Sequence, residues 1–307
     1  MKSPTLAVLV AIILSVSCAR AVDEIAKVYV DVDSPIVATF IDEMVSEHAF
    51  DRDSLRGVLS QAEIKPSIIK KISTPAERTL TWGEYRKIFL TKARINAGVA
   101  FWRENREMLE RINKETGVSI EMMVGIIGVE TYFGRITGND RVIDALATLA
   151  FDYPKRAKFF RNELVQFLIL TREEGLDATL PVGSYAGAMG RPQFMPSSFR
   201  AYAVDATGDG KRDIWNDWAD VSGSVANYFL EHGWRSSEEV VAQATLGGQW
   251  KGPVPKPGNT LKASSTVESL SSEGDVFSTN MSADSKGELL TYEGDGGTEH
   301  WVGFHNF

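Results

Sequence analysis

The sequence predicts a mainly α-helical (α+β) protein that ends in a small β-rich part. Three observations carry this. Between residues 34 and 233, apolar residues recur at helical spacing in successive segments, most of them opened by a capping residue or a proline. From Trp234 onward that period is lost, and short apolar runs alternate with Gly, Pro and Ser. The composition, 43% hydrophobic and 24% charged over 307 residues, is that of a globular chain long enough for one large or two to three small domains.

Residues 1–21 read as an export signal. Lys2 supplies the positive start, Leu6–Val16 an apolar core too short to anchor in a bilayer, and Ala19-Arg20-Ala21 a small-x-small cleavage site before Val22. Cys18 is the only cysteine, so no disulfide framework exists. Its place after Val16-Ser17 opens a second route, lipidation of Cys18, although Ser15 stands where such sites usually carry an aliphatic residue. Cleavage at Ala21 is favoured, and either route predicts export. Removing a segment that holds two basic residues, Lys2 and Arg20, and no acid takes the formal charge from −8 to −10. Nothing offers a basic face to a phosphate backbone, which argues against nucleic acid as a partner.

After a polar lead-in, residues 34–116 read as helices. Ser34-Pro35 opens the first, with Ile36, Val37, Phe40, Ile41, Met44 and Val45 on its apolar face. Asp51 caps a second carrying Leu55, Val58 and Leu59, and Pro66 begins a third with Ile68, Ile69 and Ile72. Thr81-Trp82-Gly83-Glu84 has capping-box spacing ahead of Tyr85–Leu90. One longer helix is expected from about Lys92 to Gly117, its Arg103–Arg111 charge run forming a solvated face.

The segment Val124–Arg135, VGIIGVETYFGR, reads as a buried helix, capped by Ser119 and stopped by Gly134 just past Phe133. Glu130 lies near its end. A carboxylate in so apolar a run is disfavoured in its charged form, which raises its pKa and suits a general acid for glycoside cleavage. The plainer alternative is a structural Glu that caps or pairs inside the core. Beyond it, Asp140 can cap a helix with Ile143, Leu146 and Leu149, and Pro154 opens one that Gly175 closes. The stretch Gly183–Pro196 is rich in Gly and Pro yet studded with large apolar residues, the texture of a packed functional loop. Asp217–Gly233 is helical again. Strand candidates follow at Val240–Ala244, Leu289–Tyr292 and Trp301–Phe304, with a Pro/Gly linker or turn at Gly252–Gly258.

Asp205–Asp213, DATGDGKRD, has oxygen-bearing side chains at positions 1, 3, 5 and 9 of an EF-hand-like loop, Asp205, Thr207, Asp209 and Asp213. Gly210 stands at the turn position and Lys211 can offer its carbonyl. The bidentate Glu of position 12 is absent, because Asn216 is there, so Asp217 or Asp220 has to close the loop. A structural calcium clamp is preferred to an Asp/Gly-rich surface turn. The four histidines show no metal-ligand spacing, and neither a Gly-x-Ser-x-Gly elbow nor a P-loop is present.

Gly125–Thr131 (GIIGVET), Asp144–Leu149 (DALATL), Ser184–Gly190, Gln193–Ser198 (QFMPSS), Asp205–Trp215 and Gly223–Gly233, in this order, resemble the membrane-bound lytic murein transglycosylase B family from about Phe40 to the end of the chain. The resemblance implies a lysozyme-like core (residues 117–234) with EF-hand-like loop, between an N-terminal helical domain (22–116) and a small β-rich domain (235–307). It implies cleavage of the MurNAc–GlcNAc β-1,4 bond of peptidoglycan with formation of 1,6-anhydroMurNAc ends. Glu130 would act first as acid, then as base. Ser184 and Gln193 would donate hydrogen bonds to substrate, and Tyr228 and Tyr85 would line the groove. Calcium is expected on Asp205, Thr207, Asp209, Lys211 and Asp220, and no organic cofactor. Thr207, where an acid or serine is commoner, is a weaker ligand. The expected setting is the periplasm, as a soluble monomer or attached to the outer membrane through Cys18.

Family members continue beyond Asn306-Phe307 into a segment with an Arg-Tyr-Asn motif and a final helix, so the resemblance also implies a chain truncated relative to the family. Two rivals stay open at this point: a goose-type muramidase that uses water, and a non-catalytic peptidoglycan-binding scaffold.

Overall fold

The structure, a computed structural model, describes residues 27–74 and 80–307; the export signal and Cys18 lie outside the described residues. Strand β1 (Val28–Tyr29) pairs antiparallel with β2 (Glu63–Ile64) around helices α1 (Pro35–His48) and α2 (Arg52–Leu59). Pro35 occupies the first turn of α1, where its missing N–H costs nothing, and Asp51 caps α2 by accepting from Ser54 N at 2.8 Å. Helix α3 (Pro66–Ser73) follows, then α4 (Trp82–Phe89), which opens with both halves of the Thr81–Glu84 capping box.

The single helix expected over Lys92–Gly117 is two, α5 (Lys92–Glu104) and α6 (Arg106–Thr116). Asn105 makes the break. Its amide Nδ2 and its own N–H both donate to Phe101 O, so the side chain competes with the helical ladder. Gly117, at φ 70°, ends α6 in the left-handed conformation that glycine tolerates.

Helix α7 (Ile120–Thr131) is capped by Ser119, but it stops earlier than the glycine signal predicts. Tyr132 and Phe133 already adopt φ 51° and 57°, and Gly134 extends the left-handed run at φ 77°. Strand β3 (Asp140–Arg141) pairs with β4 (Val182–Gly183), and α8 (Val142–Phe151) runs as the buried axis of the core against α9 (Ala157–Glu173). Asp140 does not cap α8. It lies in β3, paired with Lys65 and Lys71. The anchoring acid is Asp144, 1% exposed, which accepts from Arg141 and from Glu63 N and pairs with Lys65 Nζ at 3.1 Å. Helices α10 (Pro196–Tyr202) and α11 (Trp218–Glu231) complete the helical part, and one hydrophobic cluster runs from Val30 to Ala226 through every helix of it except α4.

The C-terminal part is an antiparallel sheet of β5 (Val241–Leu246), β6 (Ser265–Thr266), β7 (Asp275–Phe277), β8 (Lys286–Gly294) and β9 (Gly297–Gly303), in the order β6-β8-β9-β5-β7. A short helix missed by the sequence reading, α12 (Val267–Ser272), covers it, and Val302, Leu289 and Phe304 lie in its own core. The tip of the β8–β9 hairpin docks on α4: Arg86 pairs with Asp295 and Glu299, and Gly83 lies so close that a Cβ would meet the Asp295 backbone. The architecture is α+β, as the sequence predicts.

Candidate active site

Glu130 occupies the next-to-last position of α7. The inward stripe of that helix, Met123, Val124, Ile127, Gly128 and Thr131, is buried. Glu130 with Glu121, Gly125 and Val129 forms the open face. The carboxyl is therefore not sunk in the core, as the apolar run suggests, but looks into a cleft of about 350 Å³. Around it stand Ile126 on its own helix, Pro192, Gln193, Phe194, Met195 and Ser198 on the loop and helix ahead of α11, and Val225, Tyr228 and Phe229 on α11. These walls remove enough hydration to push the Glu130 carboxyl above its ordinary pKa, even though the residue keeps an exposed side. Among the described residues no ion pair or hydrogen bond engages that carboxyl.

Two of the four residues expected to contact substrate share this cleft. Tyr228, 37% exposed, is held flat by His232, whose ring stacks at 4.0 Å, and edge-on by Tyr202 at 5.1 Å. Gln193 adopts φ 53° and sends its Nε2 to Thr137 O at 3.1 Å and Gly190 O at 2.9 Å. Both amide hydrogens are thus committed, and Gln193 offers the cleft its Oε1 as an acceptor rather than the donor expected from the sequence. Ser184 lies outside the cleft's lining. Its Oγ accepts from Ala186 N at 3.3 Å and Ala188 N at 3.1 Å, which stitches the loop and leaves the hydroxyl only its hydrogen to give. Tyr85 is on α4, edge-to-face with Phe89 at 5.1 Å, also away from this lining.

Sequence reasoning missed Ser198, Val225 and Phe229 as walls, and missed Arg94. Arg94 reaches from α5 to the C-terminal carbonyls of Gly128 (3.1 Å) and Val129 (3.3 Å) and lies over the Tyr132 ring. A cation there suits the negative end of the helix dipole. No local signal marks it, because its partners are more than thirty residues away.

In the 205–213 loop, Asp205 collects the N–H groups of Gly208, Asp209 and Gly210 and the Thr207 hydroxyl, and these bonds hold its carboxyl below the ordinary range. Asp217 is occupied as the cap of α11. Asp220, expected to close the loop as a ligand, is 1% exposed and gives one oxygen to Ala206 N and the other to Asp213 N, both at 2.8 Å. It braces both ends of the loop from beneath. Among the described residues no three acidic, His or Cys side chains converge as a metal cage.

A helical core that presents one desolvated carboxyl to an open cleft provides the general acid that a glycan-cleaving enzyme needs. A model of the transglycosylase SLT domain matches residues 33–307. The Escherichia coli (strain K12) protein named membrane-bound lytic murein transglycosylase B is 39% identical over 284 residues, 90% of this chain and 77% of that one. The crystal structure of soluble lytic transglycosylase SltB1 from Pseudomonas aeruginosa is 48% identical, with a TM-score of 0.81, over 89% of this chain and 90% of that one. Escherichia coli Slt35, solved in complex with calcium, is 38% identical with a TM-score of 0.80, over 91% and 88%. The chain belongs to the transglycosylase SLT family, and it is a peptidoglycan lytic transglycosylase.

Proposed function

We propose that Glu130 alone carries both proton transfers in cleavage of the MurNAc–GlcNAc β-1,4 bond. The observation behind this is that Glu130 is the sole carboxylate among the ten residues lining its cleft. An ordinary glycosidase needs two, one for the leaving oxygen and one for water or the sugar carbon. One suffices if the nucleophile is the muramic acid's own 6-hydroxyl. Desolvated Glu130 starts protonated and gives its proton to the bridging oxygen as the C1–O bond breaks. The resulting carboxylate takes the proton of the 6-hydroxyl as O6 bonds to C1. A 1,6-anhydro ring forms, no water is consumed, and Glu130 ends protonated again. Tyr228, Ser198 and the Gln193 oxygen are the polar groups able to orient the sugars, with Phe194, Met195 and Phe229 excluding water.

Peptidoglycan as the occupant of the groove is supported by a relative: Pseudomonas aeruginosa SltB3, 25% identical with a TM-score of 0.73, was solved in complex with NAG-NAM-pentapeptide. The test is digestion of purified peptidoglycan by the chain and by Glu130→Gln, with the products weighed. Anhydro ends that vanish in the variant are expected. Hydrated reducing ends would replace this mechanism by a water-using one, and no soluble product would overturn it.

The 205–213 loop is read as a structural calcium clamp formed by Asp205, Asp209, the Thr207 hydroxyl and the Lys211 carbonyl. All its donors are oxygen, Asp205 is held ionised, and hydroxyl and carbonyl ligands make up for a missing third acid. Bound calcium would tie the loop ends together and take no part in the proton transfers. Calcium should raise the melting temperature of the chain, and Asp205→Asn should remove that rise. Export through residues 1–21, with Cys18 as an alternative lipid anchor, places the enzyme in the periplasm. Among the described residues no helix is long and apolar enough to cross a membrane.

A further inference from the structure

We infer that Thr131 is a positioning residue, whose hydroxyl ties the catalytic helix to the loop forming the opposite wall of the cleft. This rests on the reading of Glu130 as acid and base. Thr131 directly follows Glu130, is fully buried, and its Oγ1 donates to Arg191 O at 2.9 Å across sixty residues of sequence. The same oxygen accepts from Gly134 N at 3.1 Å, and the Thr131 carbonyl accepts from Ile136 N at 2.9 Å. One residue therefore closes the left-handed run Tyr132–Gly134 and grips the 190–194 loop.

That loop is held on its far side as well. Arg191 N donates to Ile214 O at 2.9 Å, its Nη1 to Asn216 O at 3.0 Å, and its guanidinium lies 3.8 Å over the Trp218 ring. Pro192, Gln193 and Phe194, the next three residues, line the cleft that Glu130 enters. With the loop clamped to the 214–218 segment, the Thr131–Arg191 bond is, among the described residues, the direct hydrogen-bonded link between α7 itself and the wall facing Glu130, while Gln193 ties the same loop to Thr137 beyond the helix. The Thr131–Arg191 bond sets the spacing between helix and wall. A group that must reach the bridging oxygen in one step and O6 in the next works only within a fraction of an ångström, and a loosened wall also admits water. The hydroxyl also lies 3.4 Å from Ile127 O of its own helix, and the shorter bond is the one to Arg191 O. Valine at this position keeps the shape and removes the bonds to Arg191 O and Gly134 N; serine keeps the hydroxyl.

The test compares Thr131→Val and Thr131→Ser with the unaltered chain. Amide hydrogen exchange in Thr131→Val should speed up at least tenfold at Gly134 and across 191–194, with α9 and the sheet unchanged, and Thr131→Ser should restore protection. On peptidoglycan, Thr131→Val should lose at least tenfold in kcat, while a GlcNAc oligomer still binds with unchanged Kd at full stoichiometry. Serine should recover most of the rate. Unchanged exchange at 191–194, or valine with the full rate, overturns the inference, as does a rate loss matched by lost binding stoichiometry. The exchange result is read without turnover, and Glu130→Gln reports the mechanism separately, so failure of one reading is distinguishable from failure of the other.

Discussion

Asp275 opens the edge strand β7, opposite Leu246 of β5, and is 4% exposed. Neither carboxylate oxygen has a hydrogen-bond partner of acceptable geometry, and the adjacent Val276 N–H compensates only weakly. Burial therefore pushes the group from an ordinary 3.8 up to about 6. In the unfolded chain Asp275 ionises near 3.8, whereas in the folded chain it holds its proton until about pH 6. Its favourable contribution is thus full below pH 3.8 and disappears as pH rises through about 6, leaving an uncompensated charge at neutral pH. At about 1.4 kcal/mol per pH unit, full conversion gives about 3 kcal/mol. The edge position lets relaxation and water recover part of this, and an amide buried in its place also goes unpaired, so about 1–2 kcal/mol is expected. Asp275→Asn should therefore be more stable than the unaltered chain at pH 7.5 by that amount, with the two converging below pH 4. Urea denaturation from pH 3.5 to 8, followed by the fluorescence of Trp250 and Trp301 in this part of the chain, measures both curves. Parallel curves across the whole range would refute the reasoning.

Other outcomes follow from the cleft and the core. Because Glu130 must be protonated to start and desolvation raises its pKa, kcat/KM for anhydro-product release should fall as pH rises through a value above the ordinary 4.5. Phe194→Ala, which opens the cleft to water, should move that descent to lower pH; an unmoved descent would detach it from Glu130. Asp144→Ala should destabilise the chain by about 3 kcal/mol, since it removes the buried partner that Arg141 and Lys65 share and leaves Glu63 N unpaired, as measured by urea denaturation. Asp144→Asn, which can keep the Glu63 bond, should cost less.

The parts of this protein that were legible in the sequence are those whose partners lie within one turn. Asp51, Thr81–Glu84 and Ser119 cap helices where the spacing places them, because a cap needs only an oxygen and an amide two or three residues on. Other short-range signals compete on nearly equal terms, and there the reading slipped. Asn105 outbids its helix, Tyr132 turns left-handed before Gly134, and Asp140 prefers two lysines to a cap.

The candidate site divides in the same way. Sequence alone determined the helical class, the apolar helix that carries Glu130, and the oxygen-rich loop at 205–213, because periodicity and spacing are properties of neighbouring residues. Only the tertiary structure decided that Glu130 faces a cleft rather than the core, that Gln193 is left as an acceptor, and that Asp220 braces its loop from beneath. It also decided that Ser184 and Tyr85 stand outside the cleft lining that Tyr228 shares. The cleft and the Gln193–Thr137 bond join residues more than fifty positions apart, and Asp220 reaches back seven and fourteen residues to the loop it braces. Such contacts come into being when the core packs, and no local pattern encodes which carbonyl a buried side chain will meet.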